Sequence, residues 1–192
     1  MAALQHKIDR IIKDDDTKYQ KLSNILKLLV DFCKINKKSY MIIGSYCIRE
    51  HREINDLDMN MLSKEWDKLK ELEELGVGIT ETYNNQLRYF LDMTDEYNKK
   101  YPGTKDFSIE IFRKEATEGF PNDNFSLAYL IKHKGLDKDE NKHYFFNKKT
   151  LLKWKKTMNR EKDKPDIELL ERLLKKGGRT IRIRRNSTRR NK

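Results

Sequence analysis

Two cysteines in 192 residues, Cys33 and Cys47, are too few to build a disulfide framework. Each sits among apolar neighbours, which reads as a buried thiol behaving as a small hydrophobe. The four histidines, His6, His51, His133 and His143, are scattered without metal-ligand spacing. They read as surface or half-buried imidazoles. No run approaches the roughly 20 apolar residues a membrane span needs. The first ten residues, MAALQHKIDR, lack the apolar core of a signal peptide. These absences predict a soluble intracellular protein, cytoplasmic or, given its basic end, nuclear. No internal repeat is visible.

Hydrophobic residues make up 36% of the chain and charged residues 38%, which is polar but not disordered in composition. The net charge of +11 is uneven. The last sixteen residues, GGRTIRIRRNSTRRNK, carry six Arg and one Lys and no acid. Without them the body is at an ordinary +4. The length fits one domain, or one domain with an appendage.

Apolar spacing at Leu22, Ile25, Leu26, Leu29 and Val30 predicts a helix over 17–36. A weaker helix is predicted over 4–13, separated by a cap signal at Asp14-Asp15-Asp16-Thr17. Tyr40-Met41-Ile42-Ile43 reads as a buried strand ended by Gly44-Ser45, with Ser45 placed to cap a short helix through about Glu50. Residues 57–62 read as a second strand, 63–75 as a helix, and 77–83 with 86–93 as an antiparallel pair. A loop follows at Tyr101-Pro102-Gly103, then a strand over 107–112. Beyond Asn124 the pattern predicts helices near 125–134, 148–158 and 165–176, an apolar knot at Tyr144-Phe145-Phe146, and a helix stop at Gly177-Gly178. The expected class is α/β (α+β). A small mixed sheet with flanking helices occupies 1–120, a helical part 121–176, and a basic, flexible tail 177–192.

Three pieces of this pattern carry chemistry. A Gly-Ser turn between strand and helix offers backbone N–H groups to a phosphate, though it is also a common connector. In Asp56-Leu57-Asp58, residues two apart on a strand share a face with Cα atoms roughly 6.5–7 Å apart. Two adjacent carboxylates repel, and a divalent cation relieves that repulsion. Read alone, the pair is more simply a solvated strand end. Glu110 lies within Phe107-Ser108-Ile109-Glu110-Ile111-Phe112, where a mid-strand charge needs a basic partner or a metal.

Taken in order, Gly44-Ser45, ten residues, Asp56-x-Asp58 and a later Glu110 resemble the nucleotidyltransferase fold of the DNA polymerase beta superfamily, over about residues 40–112. Two departures stand out: Asn55 precedes the pair where Ser or Thr is frequent, and Glu110 replaces the commoner Asp. In the helical half, Lys155 followed by Arg160-Glu161-Lys162-Asp163-Lys164-Pro165-Asp166 resembles the Lys…Arg-x-Lys-Asp-x-x-Asp signature of small bacterial-type nucleotidyltransferases. The resemblance implies transfer of a nucleoside monophosphate from an NTP such as ATP to a hydroxyl of RNA or tRNA, a protein or a small molecule, with release of pyrophosphate. It implies two Mg²⁺ or Mn²⁺ ions roughly 3.5–4 Å apart on Asp56, Asp58 and Glu110. Gly44, Ser45, Arg160 and Lys162 would hold phosphates, with Arg49 and Arg52 adding charge or standing in solvent. Asp163 and Asp166 would cap or salt-link the next helix.

The tail residues Arg179, Arg182, Arg184, Arg185, Arg189 and Arg190 are dense enough to contact several phosphates of a nucleic acid. A solubilising tail or a nuclear address is the plainer reading. No aromatic residue interleaves them, so base stacking is not expected of the tail. The competing function is a non-catalytic nucleic-acid-binding protein on the same scaffold.

Overall fold

The computed structural model describes residues 2–52, 54, 56–62, 65, 68, 79–82, 86–89, 108–113 and 125–188. The chain opens with α1 (Ala2–Lys13), which buries Leu4, Ile8 and Ile12 at four-residue spacing. Thr17 then starts α2 (Lys18–Phe32). The Gln20 side-chain oxygen accepts from the Thr17 backbone N–H at 2.9 Å and from its hydroxyl at 2.6 Å. The expected cap signal is therefore realised at its last residue. Leu22, Ile25, Leu26, Leu29 and Val30 form the buried stripe of α2, as their spacing predicts.

The central sheet is mixed and five-stranded. Its strands are β1 (Tyr40–Ile43), β2 (Asp56–Met61), β5 (Ser108–Arg113), β6 (Leu136–Lys138) and β7 (Tyr144–Phe146), in the order β5-β2-β1-β7-β6. β1 is antiparallel to β2 and parallel to β7, β2 is parallel to β5, and β6 is antiparallel to β7. All four residues of β1 are buried, as a continuous apolar run flanked by strands on both sides requires. A separate antiparallel pair is formed by β3 (Ile79–Thr82) and β4 (Gln86–Tyr89). The remaining helices are α3 (Leu127–Lys132), α4 (Lys148–Met158) and α5 (Lys164–Thr188). Among the described residues no helix is long and apolar enough to cross a membrane.

Three expectations need correction. Tyr144-Phe145-Phe146 is a sheet strand, so the sheet draws strands from both sides of residue 120. Its partner β6, Leu-Asp-Lys, is short, charged and at the sheet edge, which is how edge strands avoid unwanted pairing. Nothing in a three-residue segment of that composition shows a strand period. The helix stop at Gly177-Gly178 is also absent, because α5 runs through both glycines to Thr188. Glycine in a helix interior costs about 1 kcal/mol relative to Ala but does not forbid the helix. A glycine terminator needs a left-handed backbone, which among the described glycines only Gly44 adopts. Finally, His143 is neither exposed nor half-buried but wholly enclosed. The helix expected over 63–75, apart from Glu65 and Lys68, lies outside the described residues, as does the loop at Tyr101-Pro102-Gly103.

His143 belongs to a buried polar cluster that ties α2 to the sheet. The Tyr40 hydroxyl donates to His143 Nδ1 at 2.6 Å, and Nε2 faces the Ser23 carbonyl oxygen at 3.3 Å. That pattern fits a neutral ring protonated on Nε2. Burial agrees, holding the His143 pKa below the usual imidazole value. Asp139 accepts from the Ser23 hydroxyl at 2.8 Å, the Tyr46 hydroxyl at 3.0 Å and the His143 backbone N–H at 2.8 Å. Burial, followed by the Asp139 charge, raises the pKa of both tyrosines, which stay protonated as donors. Tyr46 stands in the turn that follows β1, so the cluster fixes that turn from behind. Asp139→Ala removes the acceptor that three enclosed donors share. It is expected to cost about 2–4 kcal/mol in a urea melt, whereas a loss under 1 kcal/mol would mean the cluster does not hold the turn.

Candidate active site

β1 ends at Gly44, whose φ of +69° lies in the left-handed region that favours glycine. Glycine is needed there twice over. A Cβ at Gly44 would stand 2.2 Å from Asp58 Oδ2 and 3.1 Å from Asp58 Cγ. The antiparallel register that opposes Ile43 to Asp58 brings the carboxyl against this turn. The segment after it, Gly44–Ile48, is a five-residue 3-10 helix begun at Ile43 without a side-chain cap. Ser45 therefore does not cap an α-helix as expected, and so short a turn has little dipole to offer a phosphate. Instead the Ser45 hydroxyl points to Asp166 Oδ2 at 3.5 Å.

The acidic residues meet through strand register. β2 pairs in parallel with β5 so that Asp58 opposes Glu110 and Asp56 opposes Ser108. Alternation places Asp56 and Asp58 on one side of β2, while Leu57, Met59 and Met61 go into the core. Glu110 stands on that same side, between the buried Ile109 and Ile111. The electrostatics report the convergence. The Asp58 carboxyl is pushed up to about 7, first by burial and then by the charges of Asp56 and Glu110, while Lys162 and Arg160 pull the other way. The trio shares a face without forming a closed cage. Among the described residues, no three or more His, Cys, Asp or Glu side chains are gathered closely enough to enclose an ion.

Arg160 and Lys162 thus act on Asp58 across a hundred residues of chain, and an ion network explains how they are delivered. Lys155 lies on the inner face of α4 beside Leu151 and Trp154 and is almost fully buried. Its ammonium contacts Asp163 Oδ1 at 2.6 Å and Asp166 Oδ2 at 2.9 Å. Asn159, with φ of +48°, ends α4 and turns the chain into Arg160. Arg160 Nε bonds Asp163 Oδ2 at 2.6 Å, and its guanidinium lies 5.2 Å over the Trp154 ring. Burial pushes the Asp163 pKa up, but the bonds from Arg160 and Lys155 outweigh it and hold the carboxyl below its usual value. Asp166 also pairs with Arg52. The expected salt links of Asp163 and Asp166 are present and reach further than the next helix.

The structure therefore brings Gly44, Asp56, Asp58, Glu110, Arg160 and Lys162 together, with Ser45 attached through Asp166. Arg49 is placed elsewhere. It lies 4.6 Å over each of the Tyr46 and Phe145 rings, which makes it a packing residue rather than a solvated or phosphate-facing one. Arg179, Arg182, Arg184 and Arg185 fall on the last turns of α5, while Arg189 and Arg190 lie outside the described residues. Sequence reasoning missed Arg52 as a partner of Asp166 and Lys155 as the organiser. The signal for Lys155 was available, because its helical position beside Leu151 and Trp154 faces inward, and an inward lysine demands a carboxylate. Buried Cys47 has its thiol pushed up to about 12, chiefly by burial, which suits an inert packing role.

No protein-family model, curated protein or solved structure matches this chain.

Because the folded Asp58 carboxyl titrates near 7 and an unfolded one near 3.9, the folded chain holds a proton that the unfolded chain releases. The fold is then most stable below about pH 4 as far as this group is concerned, and loses that stability as pH rises towards 7. Asp58→Asn removes the loss. In chelator-treated buffer the variant is expected to gain about 2 kcal/mol over the parent between pH 5 and pH 8 in denaturant melts. A difference that does not change with pH would contradict the crowded-carboxylate reading.

Proposed function

We propose that this chain is a metal-dependent nucleotidyltransferase that moves a nucleoside monophosphate from an NTP to a hydroxyl acceptor and releases pyrophosphate. The observation that carries the reading is the convergence of two opposed charge clusters. Asp56, Asp58 and Glu110 supply negative charge beside a turn that only glycine can form. Arg160 and Lys162 supply positive charge close enough to lower the Asp58 pKa.

A magnesium–triphosphate complex has the charge pattern to fit between them, cation towards the carboxylates and phosphates towards the bases. Asp56, Asp58 and Glu110 would hold Mg²⁺ or Mn²⁺, which supplies Lewis-acid neutralisation of phosphate charge. Gly44 lets the backbone approach the phosphates without a side chain intervening. Arg160, its Nε committed to Asp163, keeps its terminal N–H groups for the triphosphate, and Lys162 adds a mobile point charge. In transfer, the acceptor oxygen bonds to the α-phosphorus and the bond to the bridging oxygen breaks. Pyrophosphate leaves against Arg160 and Lys162, and the hydroxyl proton passes to Glu110. The contribution of these residues is positioning and electrostatics.

The acceptor reading rests on α5. This 25-residue helix begins at the ion network and reaches about 37 Å. After Glu171 the chain carries ten Lys and Arg residues and no acid. A polynucleotide is the acceptor that such a rod fits. A non-catalytic nucleic-acid-binding chain would use the same helix, but it gives no reason for three carboxylates to crowd one face.

Two outcomes test the proposal. Asp56→Ala and Asp58→Ala are each expected to reduce transfer from labelled NTP to total RNA by about a thousandfold or more, with far-UV circular dichroism spectra like the parent's. Turnover within tenfold of the parent in either variant would count decisively against the assignment. RNA affinity should fall linearly with the logarithm of salt concentration. Ending the chain after Gly178 should make that slope clearly shallower, and an unchanged slope would remove the nucleic-acid role of the basic segment.

A further inference from the structure

The helix that delivers Arg160 has a second, outward face. α4 holds five lysines and no acid. Leu151, Trp154 and Lys155 turn inward. Helical periodicity puts Lys149, Lys153 and Lys156 on the opposite side, and all three are exposed. Lys156 pairs with Glu171. Lys148, Lys149 and Lys153 have no carboxylate partner among the described residues, and Lys153 lies 5.6 Å over the Phe125 ring. Lys148 and Lys149 also stand in the first turn of α4, where the helix dipole opposes a cation. Helix stability therefore does not account for them.

The turn after α3 extends this face and adds a ring to it. Asn147, which caps α4, donates from Nδ2 to the Lys134 carbonyl oxygen at 2.9 Å and from its backbone N–H to the Gly135 carbonyl oxygen at 3.1 Å. A Cβ at Gly135 would stand 3.0 Å from Thr150 Oγ1, so the turn lies against the start of α4. Lys132, His133 and Lys134 are all exposed there. Lys134 has φ of +53°, a left-handed position that glycine takes at lower cost. His133 stacks on Tyr129, with ring centroids 4.0 Å apart and planes at 28°. Tyr129 steadies one face of the imidazole and leaves the rest of the ring in solvent. At its other end α4 stops at Asn159, and the next residue is Arg160, which acts on Asp58. The face thus runs from the His133 ring to the candidate active site over one 11-residue helix, about 16 Å.

We propose that this face binds a single-stranded polynucleotide and leads its end towards Arg160, with Lys134, Lys148, Lys149 and Lys153 on phosphates and His133 under a base. Lysines track a backbone, and an exposed ring takes the face of an unpaired base, which a duplex keeps stacked. Lys149 and Lys153 are about 6 Å apart along the helix, so successive cations can meet successive phosphates of an extended strand. An acidic protein surface would use the lysines but has no need of the ring. The proposal rests on the polynucleotide-acceptor reading for the role of the strand and deepens it, although the binding itself does not depend on catalysis.

The test uses the full chain, a fluorescent single-stranded RNA, the same RNA annealed to its complement, and poly-glutamate as competitor. Joint Lys149→Ala and Lys153→Ala should make the slope of log affinity against log salt shallower by about 1.4, at roughly 0.7 per lost contact. At about pH 8, where an ordinary imidazole is uncharged, His133→Ala should weaken single-strand binding about fivefold or more and leave duplex binding unchanged. His133→Phe keeps a ring and should restore the loss. These side chains are exposed, so circular dichroism spectra should match the parent's. An unchanged slope, an equal loss for single strand and duplex, or poly-glutamate competing as well as unlabelled RNA overturns the proposal. If the binding results hold but the parent transfers to no RNA, the functional reading falls and the binding face stands. If the parent transfers and the double lysine variant keeps its KM for RNA within about twofold, the role of this face in leading the acceptor falls while the functional reading stands.

Discussion

The arrangement depends on one buried ammonium group. Lys155 reaches from the inner face of α4 into a space with almost no solvent and is shared between Asp163 and Asp166. A charge so enclosed is tolerable only with carboxylates in direct contact, and removing one partner of a buried pair typically costs about 3–5 kcal/mol. That penalty makes the geometry strict. With α4 against the sheet and Lys155 fixed on α4, the chain between Asn159 and Asp166 has little freedom, and Arg160 and Lys162 emerge on the side where Asp58 lies. The same two carboxylates reach outward to Arg160 and Arg52, so an ion pair of the interior sets the charge of the surface above it.

Opposite this arm, the sheet produces the contrary condition. Register alone puts Asp58 beside Glu110 and Asp56 one step away on the same face. Asp58 then has neighbours that repel its charge and a glycine turn closed over it. One face gathers carboxylates and the other gathers cations, and the two act on each other at Asp58. A ligand carrying both signs resolves the two together, and a divalent cation on a triphosphate is such a ligand. On the proposed reading stability and function pull in different directions, since the crowding that would ready the carboxylates for a cation weakens the fold without one.

Much of this was legible in the sequence because it is periodic or local. The stripe of α2, the buried run of β1 and the alternation of Asp56 and Asp58 with Leu57 and Met59 each follow from a period that burial imposes. The glycine at 44 could be anticipated as a turn, though not as a position where a side chain would collide with Asp58. What escaped is what only tertiary contact defines. β6 and β7 are three residues each, too short to show a period, and β6 is polar because it is an edge. The Arg52–Asp166 pair joins residues 114 apart, and nothing near Arg52 announces its partner. Gly177-Gly178 misled because a terminator signal is a preference of about 1 kcal/mol per residue, which the rest of a long helix can override.

The central claim is that cation and nucleotide bind as one unit across two clusters of opposite charge. Thermal melts with Mg²⁺ alone, NTP alone and both together test it most directly. Joint addition should raise the melting temperature well beyond the sum of the separate shifts, because each ligand relieves charge that would hinder the other. Equal and additive shifts, or no shift with both present, would contradict it.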